Sequence, residues 1–348
     1  MSDHRTPEQT PGHTPEPRRR RVMPAGRALV VIVVTLLVWA VLYAPELKRS
    51  AEAGDVGTRR SVSLALLDPL VWVTDHTGLT AAANAAARAA GRDPNAEVGG
   101  VNVGVDPLPE PSGSPKPAQH VVHDTDMREP TPDNQLRVAV VGDSLAQGVG
   151  FAADSVFKPF WAEVFKQGRI STGLARPDYF NWMTQMHTIV DRADPDLILV
   201  MVGENDNQAL INPDGSVEQD IGTFDWAEHY QERVQRFAKI ATSDGGHVVW
   251  IGLPNVSDKS RWDFIQKQNA IFQSVADELP NVSYFDSWNT FASPGGGYSA
   301  FYRDGTQVSE IRAPDGVHFN TDGYTLLTEK AAQLATKDFN LDPKTYSP

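Results

Sequence analysis

Hydrophobic positions fall into three regimes along this chain. From Ala28 to Ala44 the residues run ALVVIVVTLLVWAVLYA, without a single charge. At ~1.5 Å per residue these roughly 17 residues reach about 26 Å as a helix, close to the ~30 Å hydrocarbon core of a bilayer. No side of that helix is polar enough to face water, so the pattern predicts a transmembrane helix over 28–44 rather than a core helix. The second regime covers 45–98. Val62, Leu64, Leu66, Leu67, Leu70, Val71 and Val73 are dense there, Asp68 and Pro69 interrupt them, and an Ala-rich AAANAAARAA run follows. This predicts a helical stem that lies on a membrane surface or packs on a partner, not a second span.

The third regime starts at Leu136. LRVAVVG, DLILVMVG from Asp196, HVVWIGLP from His247 and the shorter VSYFDSW from Val282 are nearly continuous apolar runs, read as buried strands. WAEHYQERVQRFAKIAT from Trp226 and SRWDFIQKQNAIFQSVADEL from Ser260 carry helical periodicity, as does a last segment beginning near Asn320 or Thr321. Strands alternating with helices of this length predict an α/β domain over 135–345, with a parallel sheet covered on both faces. In such sheets functional groups collect at the C-terminal ends of the strands.

The remaining segments fit around this plan. Residues 1–27 are polar and Pro-rich and end in Arg18, Arg19, Arg20, Arg21 and Arg27, a disordered basic tail. The cluster outweighs Lys48 and Arg49 beyond the span, which places the N-terminus in the cytoplasm and the domain outside it, in the periplasm or cell-wall space. Leu42, Tyr43 and Pro45 around Ala44 make a poor cleavage site, so the span reads as an uncleaved anchor. Residues 99–134 shift to GGVNVGVDPLPEPSGSPKP and beyond, a Pro/Gly linker. His120 and His123 lie near Asp124 and Asp126 in it, but a linker offers no scaffold for ligation, and no metal or cofactor is expected.

Composition excludes several chemistries. The chain has no cysteine, which removes thiolate catalysis, disulfides and Cys-ligated zinc. Its formal net charge of −13 makes nucleic acid an unsuitable partner, since phosphate binding needs a basic face.

Three short blocks each end or begin an element. Gly142-Asp143-Ser144-Leu145 follows the first strand, where a serine is exposed at a strand-to-helix turn; simple helix capping is the bland alternative. Gly203-Glu204-Asn205-Asp206 follows the second run, and an Asn there donates N–H without bringing charge, or merely closes a turn. Asp315-Gly316-Val317-His318 precedes the final helix; a carboxylate three residues from an imidazole can hold Nδ1–H and leave Nε2 free to take a serine proton.

In this order, GDSL at 142–145, GENDN at 203–207 and DGVH at 315–318 resemble the blocks of the SGNH hydrolase (GDSL-like) superfamily. STGLARPDYFNW from Ser171 resembles the glycine block of a membrane-anchored bacterial branch. The resemblance covers about 60% of the chain, from Leu136 to about residue 340. It implies a flavodoxin-like three-layer α/β/α fold and a serine acyl-ester hydrolase, with Ser144 as nucleophile, His318 as base and then acid, and Asp315 orienting it. The oxyanion donors it implies are the Ser144 amide, the Gly173 amide (Gly168 being a second candidate) and the Asn205 side chain. O-acyl groups, such as acetyl groups, on cell-envelope carbohydrate are the expected substrates. Tyr179 and Trp182, close after Gly173, are candidates for stacking against a sugar. Membrane-tethered proteins of this resemblance also include partners of multipass membrane acyltransferases, so O-acyl transfer is a second expectation, and a silent glycan-binding module a third.

Overall fold

A computed structural model describes residues 25–52, 54, 58–77, 105–110, 127, 130–131, 133–223, 225–341 and 343. The basic tail to residue 24, the end of the stem and most of the linker, including His120, His123, Asp124 and Asp126, lie outside the described residues.

The domain is built on five parallel strands: β1 (Leu136–Gly142), β2 (Ala162–Gly168), β3 (Leu197–Met201), β6 (His247–Ile251) and β7 (Val282–Phe285). Their spatial order is β2-β1-β3-β6-β7, the flavodoxin-like arrangement in which the chain reverses direction beside β1. Two small antiparallel hairpins, β4 (Leu210–Ile211) with β5 (Val217–Gln219) and β8 (Phe301–Asp304) with β9 (Gln307–Glu310), decorate it. Every residue of β3 and β6 is buried, which is why these strands read as unbroken apolar runs.

β2 escapes that reading. Its sequence AEVFKQG is mixed because it lies at the sheet edge, where Lys166 and Gln167 serve the 105–110 segment, and it ends at Gly168. Part of the linker covers this edge instead of hanging free. Asp106 donates its N–H to Lys166 O, the Lys166 N–H returns to Asp106 Oδ2 at 3.0 Å, and Arg192 binds the carbonyls of Leu108 and Pro109. Pairing or covering an edge in this way removes a template for aggregation.

The N-terminal part forms α1 (Ala25–Leu42), α2 (Ala44–Glu52) and α3 (Thr58–His76). At 18 residues α1 is about 27 Å long, and among the described residues no helix is long and apolar enough to cross a membrane. α3 runs through Pro69 rather than stopping there, contrary to the expected interruption. In the domain, α4 (Ser144–Val156) packs with α9 (Thr321–Phe339), while α5 (Trp182–Ala193), α6 (Trp226–Ala241) and α7 (Trp262–Glu278) pack in succession; a one-turn helix α8 (Ser287–Thr290) follows β7. With right-handed crossovers these groups cover opposite faces of the sheet, giving the three layers.

Strand ends converge where the chain reverses. Gly142 is paired with both Gly168 and Met201 in neighbouring strands, so β1, β2 and β3 terminate at one level. Gly142 has φ of 141°, and a Cβ there would lie 1.9 Å from Met201 O. Gly142→Ala is therefore expected to cost about 3 kcal/mol through strain and displacement of β3. Urea unfolding measures it, and an unchanged midpoint would contradict so close an approach.

Candidate active site

Ser144 is the first residue of α4, directly past the end of β1. Asp143 caps the helix: its Oδ1 accepts from the Leu145 amide at 2.9 Å. Its other oxygen accepts the amides of Gly203 and Glu204, both at 3.0 Å, in the turn after β3. One buried carboxylate thus fixes the serine turn against the Asn205 turn. Burial pushes this carboxyl up to about 8, opposed chiefly by the Leu145 amide.

Asp315 and His318 arrive from the other end of the chain. Gly316, with φ of 71°, turns the segment, and its carbonyl receives the Ser257 N–H at 2.9 Å. Asp315 Oδ1 accepts the Val317 and His318 amides, leaving Oδ2 to bind His318 Nδ1 at 2.7 Å. His318 Nε2 then meets Ser144 Oγ at 2.8 Å. The three side chains expected to form a triad, 174 positions apart along the sequence at their extremes, are in one hydrogen-bonded line. Partial burial raises the Asp315 carboxyl, but the Val317 amide and His318 outweigh it, so it lies below the ordinary carboxylate range. Glu204, buried beside the site, is raised by burial and pulled back by Arg261, whose Nη1 donates to Oε1 at 2.6 Å.

Ser144 and His318 open into a cleft of about 860 Å³ between α4 and the start of α9. Asn205 lines it too; its Nδ2 donates one N–H to Thr172 O at 2.9 Å, leaving the second N–H of that amide for the cleft.

The glycine block is placed differently from expectation. Every peptide bond described is trans, so the Gly173 N–H points opposite to the Thr172 carbonyl of the same peptide unit. Because that carbonyl faces Asn205 Nδ2, the Gly173 amide points away from it, and Gly173 does not line the cleft. Gly173 is instead packed on Asp206, where a Cβ would come within 2.0 Å of Oδ1. Ile170 and Ser171 line the cleft in its stead, with Ser171 in the left-handed region at φ 57°. Gly168 ends β2 against the start of α4, where a Cβ would sit 2.5 Å from the Gln147 nitrogen.

Tyr179 and Trp182 do not reach the cleft either. Trp182 is 2% exposed, packs edge-on against Phe180 and Phe237, and donates Nε1–H to Thr172 Oγ1 at 3.0 Å. Core packing has claimed it. The aromatic that does line the cleft with its ring exposed is Phe151, on the outer side of α4, which the sequence did not single out because it follows a glycine-rich turn of helix.

Residues 137–334 match the model of a family described as "Protein of unknown function (DUF459)". No curated protein matches the sequence. Among solved structures, the chain is similar to a GDSL-like lipase from Bacteroides thetaiotaomicron at 14% identity, covering 61% of this chain and 92% of that one with a TM-score of 0.40. It is also similar to an α/β-hydrolase enzyme from the metagenome of Lake Arreo, at 15% identity, 59% and 96% coverage and a TM-score of 0.42. A third is a carbohydrate esterase family 3 structure from Talaromyces cellulolyticus, at 11% identity, 60% and 100% coverage and 0.38.

The depressed Asp315 carboxyl carries a sign. A group held below its unfolded value of ~3.9 contributes stability that is present above that value and lost as pH falls through the folded one. Urea unfolding of Asp315→Asn is expected to show a flatter loss of stability than the unsubstituted protein below about pH 4, with kcat at neutral pH down about 10²–10⁴-fold. Equal acid limbs would remove the carboxylate from this role.

Proposed function

We propose that this chain, which belongs to the DUF459 family, is a serine acyl-ester hydrolase of the SGNH type that acts on O-acyl, chiefly acetyl, groups of neutral carbohydrate in the cell envelope. The observation that carries the reading is the continuous Asp315–His318–Ser144 hydrogen-bonded line opening into a cleft. Ser144 Oγ attacks the ester carbonyl carbon as His318 Nε2 takes the hydroxyl proton, and the C=O pair moves onto oxygen. Asp315 holds Nδ1–H and the charge of the imidazolium. The oxyanion is met by the Ser144 amide at the positive end of α4 and by the free N–H of Asn205. Collapse expels the alcohol, which takes the proton from His318. Water, deprotonated by His318, then attacks the acyl-enzyme, and its collapse frees the acid and returns the proton to Ser144.

The lining of the cleft favours a neutral polar substrate. Among the described residues it holds Gln147, Ser155, Asn320 and Thr325 but no Lys, Arg, Asp or Glu, and Phe151 stands 52% exposed beside them. Neutral hydrogen-bonding groups beside an exposed ring suit a sugar, whose hydroxyls and C–H faces need both.

Placement at the outer face of a membrane has separate support. Leu29, Val30, Val31 and Ile32 of α1 and Val62, Leu66 and Trp72 of α3 are exposed, apolar side chains of the kind that a membrane or partner surface covers. The Arg18–Arg21 cluster precedes it, as the positive-inside pattern requires.

With full-length protein in detergent, Ser144→Ala is expected to abolish hydrolysis of p-nitrophenyl acetate, and Asn205→Ala to slow it about 10²–10³-fold. Undiminished turnover in Ser144→Ala would reject the serine mechanism. Phe151→Ala should raise KM for an acetylated disaccharide at least about fivefold and leave p-nitrophenyl acetate nearly unaffected, consistent with loss of about 1 kcal/mol of ring contact. Equal effects on both esters would reject the sugar reading. Product analysis with added unacetylated sugar separates hydrolysis from acyl transfer.

A further inference from the structure

The stem is attached to the domain through one buried side chain that also belongs to the block lining the cleft. Arg176 is 3% exposed. Its Nη2 donates to the carbonyl of Glu52, the last residue of α2, at 3.0 Å, and its Nη1 to the carbonyl of Gly54, just beyond the helix, at 3.1 Å. The Glu52 carbonyl is one that a helix leaves without an internal partner, and a guanidinium suits it in both charge and donor geometry. Asp178 holds the guanidinium from the domain side, through Nε at 2.8 Å and Nη2 at 2.9 Å, and Arg60 of α3 approaches the same carboxylate at 3.8 Å.

Arg176 ends a segment that is fixed on every side. Asp206 accepts the Leu174 and Ala175 amides at 2.9 and 2.8 Å, and Arg233 donates to the carbonyls of the same two residues. Two residues earlier, Thr172 O holds the Asn205 side chain. Arg176 Nη1 also reaches Gln208 Oε1, in the turn that carries Asn205. The end of α2 is therefore one step from both loops that frame the mouth of the cleft.

We propose that Arg176 is a positioning residue through which the docked stem sets the Thr172–Asn205 pair, making α2 and α3 part of the catalytic unit rather than a passive tether. This rests on the esterase reading for its rate effect, but the docking itself is independent of it. When the stem leaves, Arg176 loses its two carbonyl acceptors there and keeps only Asp178 and Gln208, so the outer support of the 172–176 segment, and with it the setting of the Thr172–Asn205 pair, is loosened. A misplacement of ~1 Å costs about 10²-fold in rate, so the expected loss lies in kcat rather than KM.

The chain's lack of cysteine makes the test direct. Nitroxides at Ser50→Cys and Glu228→Cys report the distance from α2 to the domain by double electron–electron resonance in full-length protein. A narrow distribution is expected, broadening in Arg176→Ala, with kcat for p-nitrophenyl acetate falling about tenfold to a hundredfold and KM changing less than twofold. Ala51→Pro breaks the last turn of α2 without touching the domain and guards against misfolding of the arginine variant; it should broaden the distribution and lower kcat in the same way. Broadening with unchanged kcat in Ala51→Pro would overturn the positioning role, and a broad distribution in the unsubstituted protein would overturn the docking. Absence of turnover in the unsubstituted protein, with the distance narrow, would instead count against the esterase reading.

Discussion

Asp143 sits beside the proposed nucleophile but does its work through the main chain. Three amides, from Leu145, Gly203 and Glu204, converge on its two oxygens in a place no water reaches. A carboxylate is the side chain able to satisfy so many donors at once, and their loss would strand them all in the interior. Because the donors come from the ends of β1 and β3, this one group converts two neighbouring strand ends into a rigid frame holding Ser144 and Asn205 at a fixed separation. The flavodoxin-like strand order supplies the crevice, and Asp143 decides how its walls stand.

A second buried carboxylate repeats the device one loop further on. Asp206 receives Leu174 N–H, Ala175 N–H and the Tyr230 hydroxyl, and burial raises its carboxyl against those three donors. Through it the 172–176 block is tied to the same turn that carries Asn205, and Arg176 passes the connection outward to the stem. The site is thus assembled from backbone segments locked by buried carboxyl groups, with only Ser144, His318 and Asp315 contributing side chains to the proton path. That economy explains how a cleft lined with uncharged residues can still be sharply defined.

The strands with both faces buried were legible because continuous apolar runs have few other fates, and the GDSL, GENDN and DGVH blocks were legible because each carries its chemistry within four or five residues. What escaped depended on contacts distant in sequence. β2 looks polar because it is an edge strand, and its Lys166 and Gln167 bind Asp106 where a central strand would have another strand beside it. Trp182 and Tyr179 are near the cleft in sequence, but the start of α5 turns Trp182 into the core against Phe237. Gly173 looked like a donor because it falls in the stretch that resembles the family's glycine block, whereas its lack of a side chain serves the approach of Asp206. Arg176 gave no signal, since its partners lie 122 and 124 positions earlier. Half of Asp143's role was readable as a cap; its bond to the Gly203 turn was not.

The central claim is that Ser144, activated through His318, forms a covalent acyl-enzyme. The most direct measurement is to treat full-length protein with a fluorophosphonate and locate the adduct by peptide mass spectrometry. A single adduct on Ser144, absent from folded His318→Ala, is the predicted result. Labelling elsewhere, or none on folded protein, would contradict it.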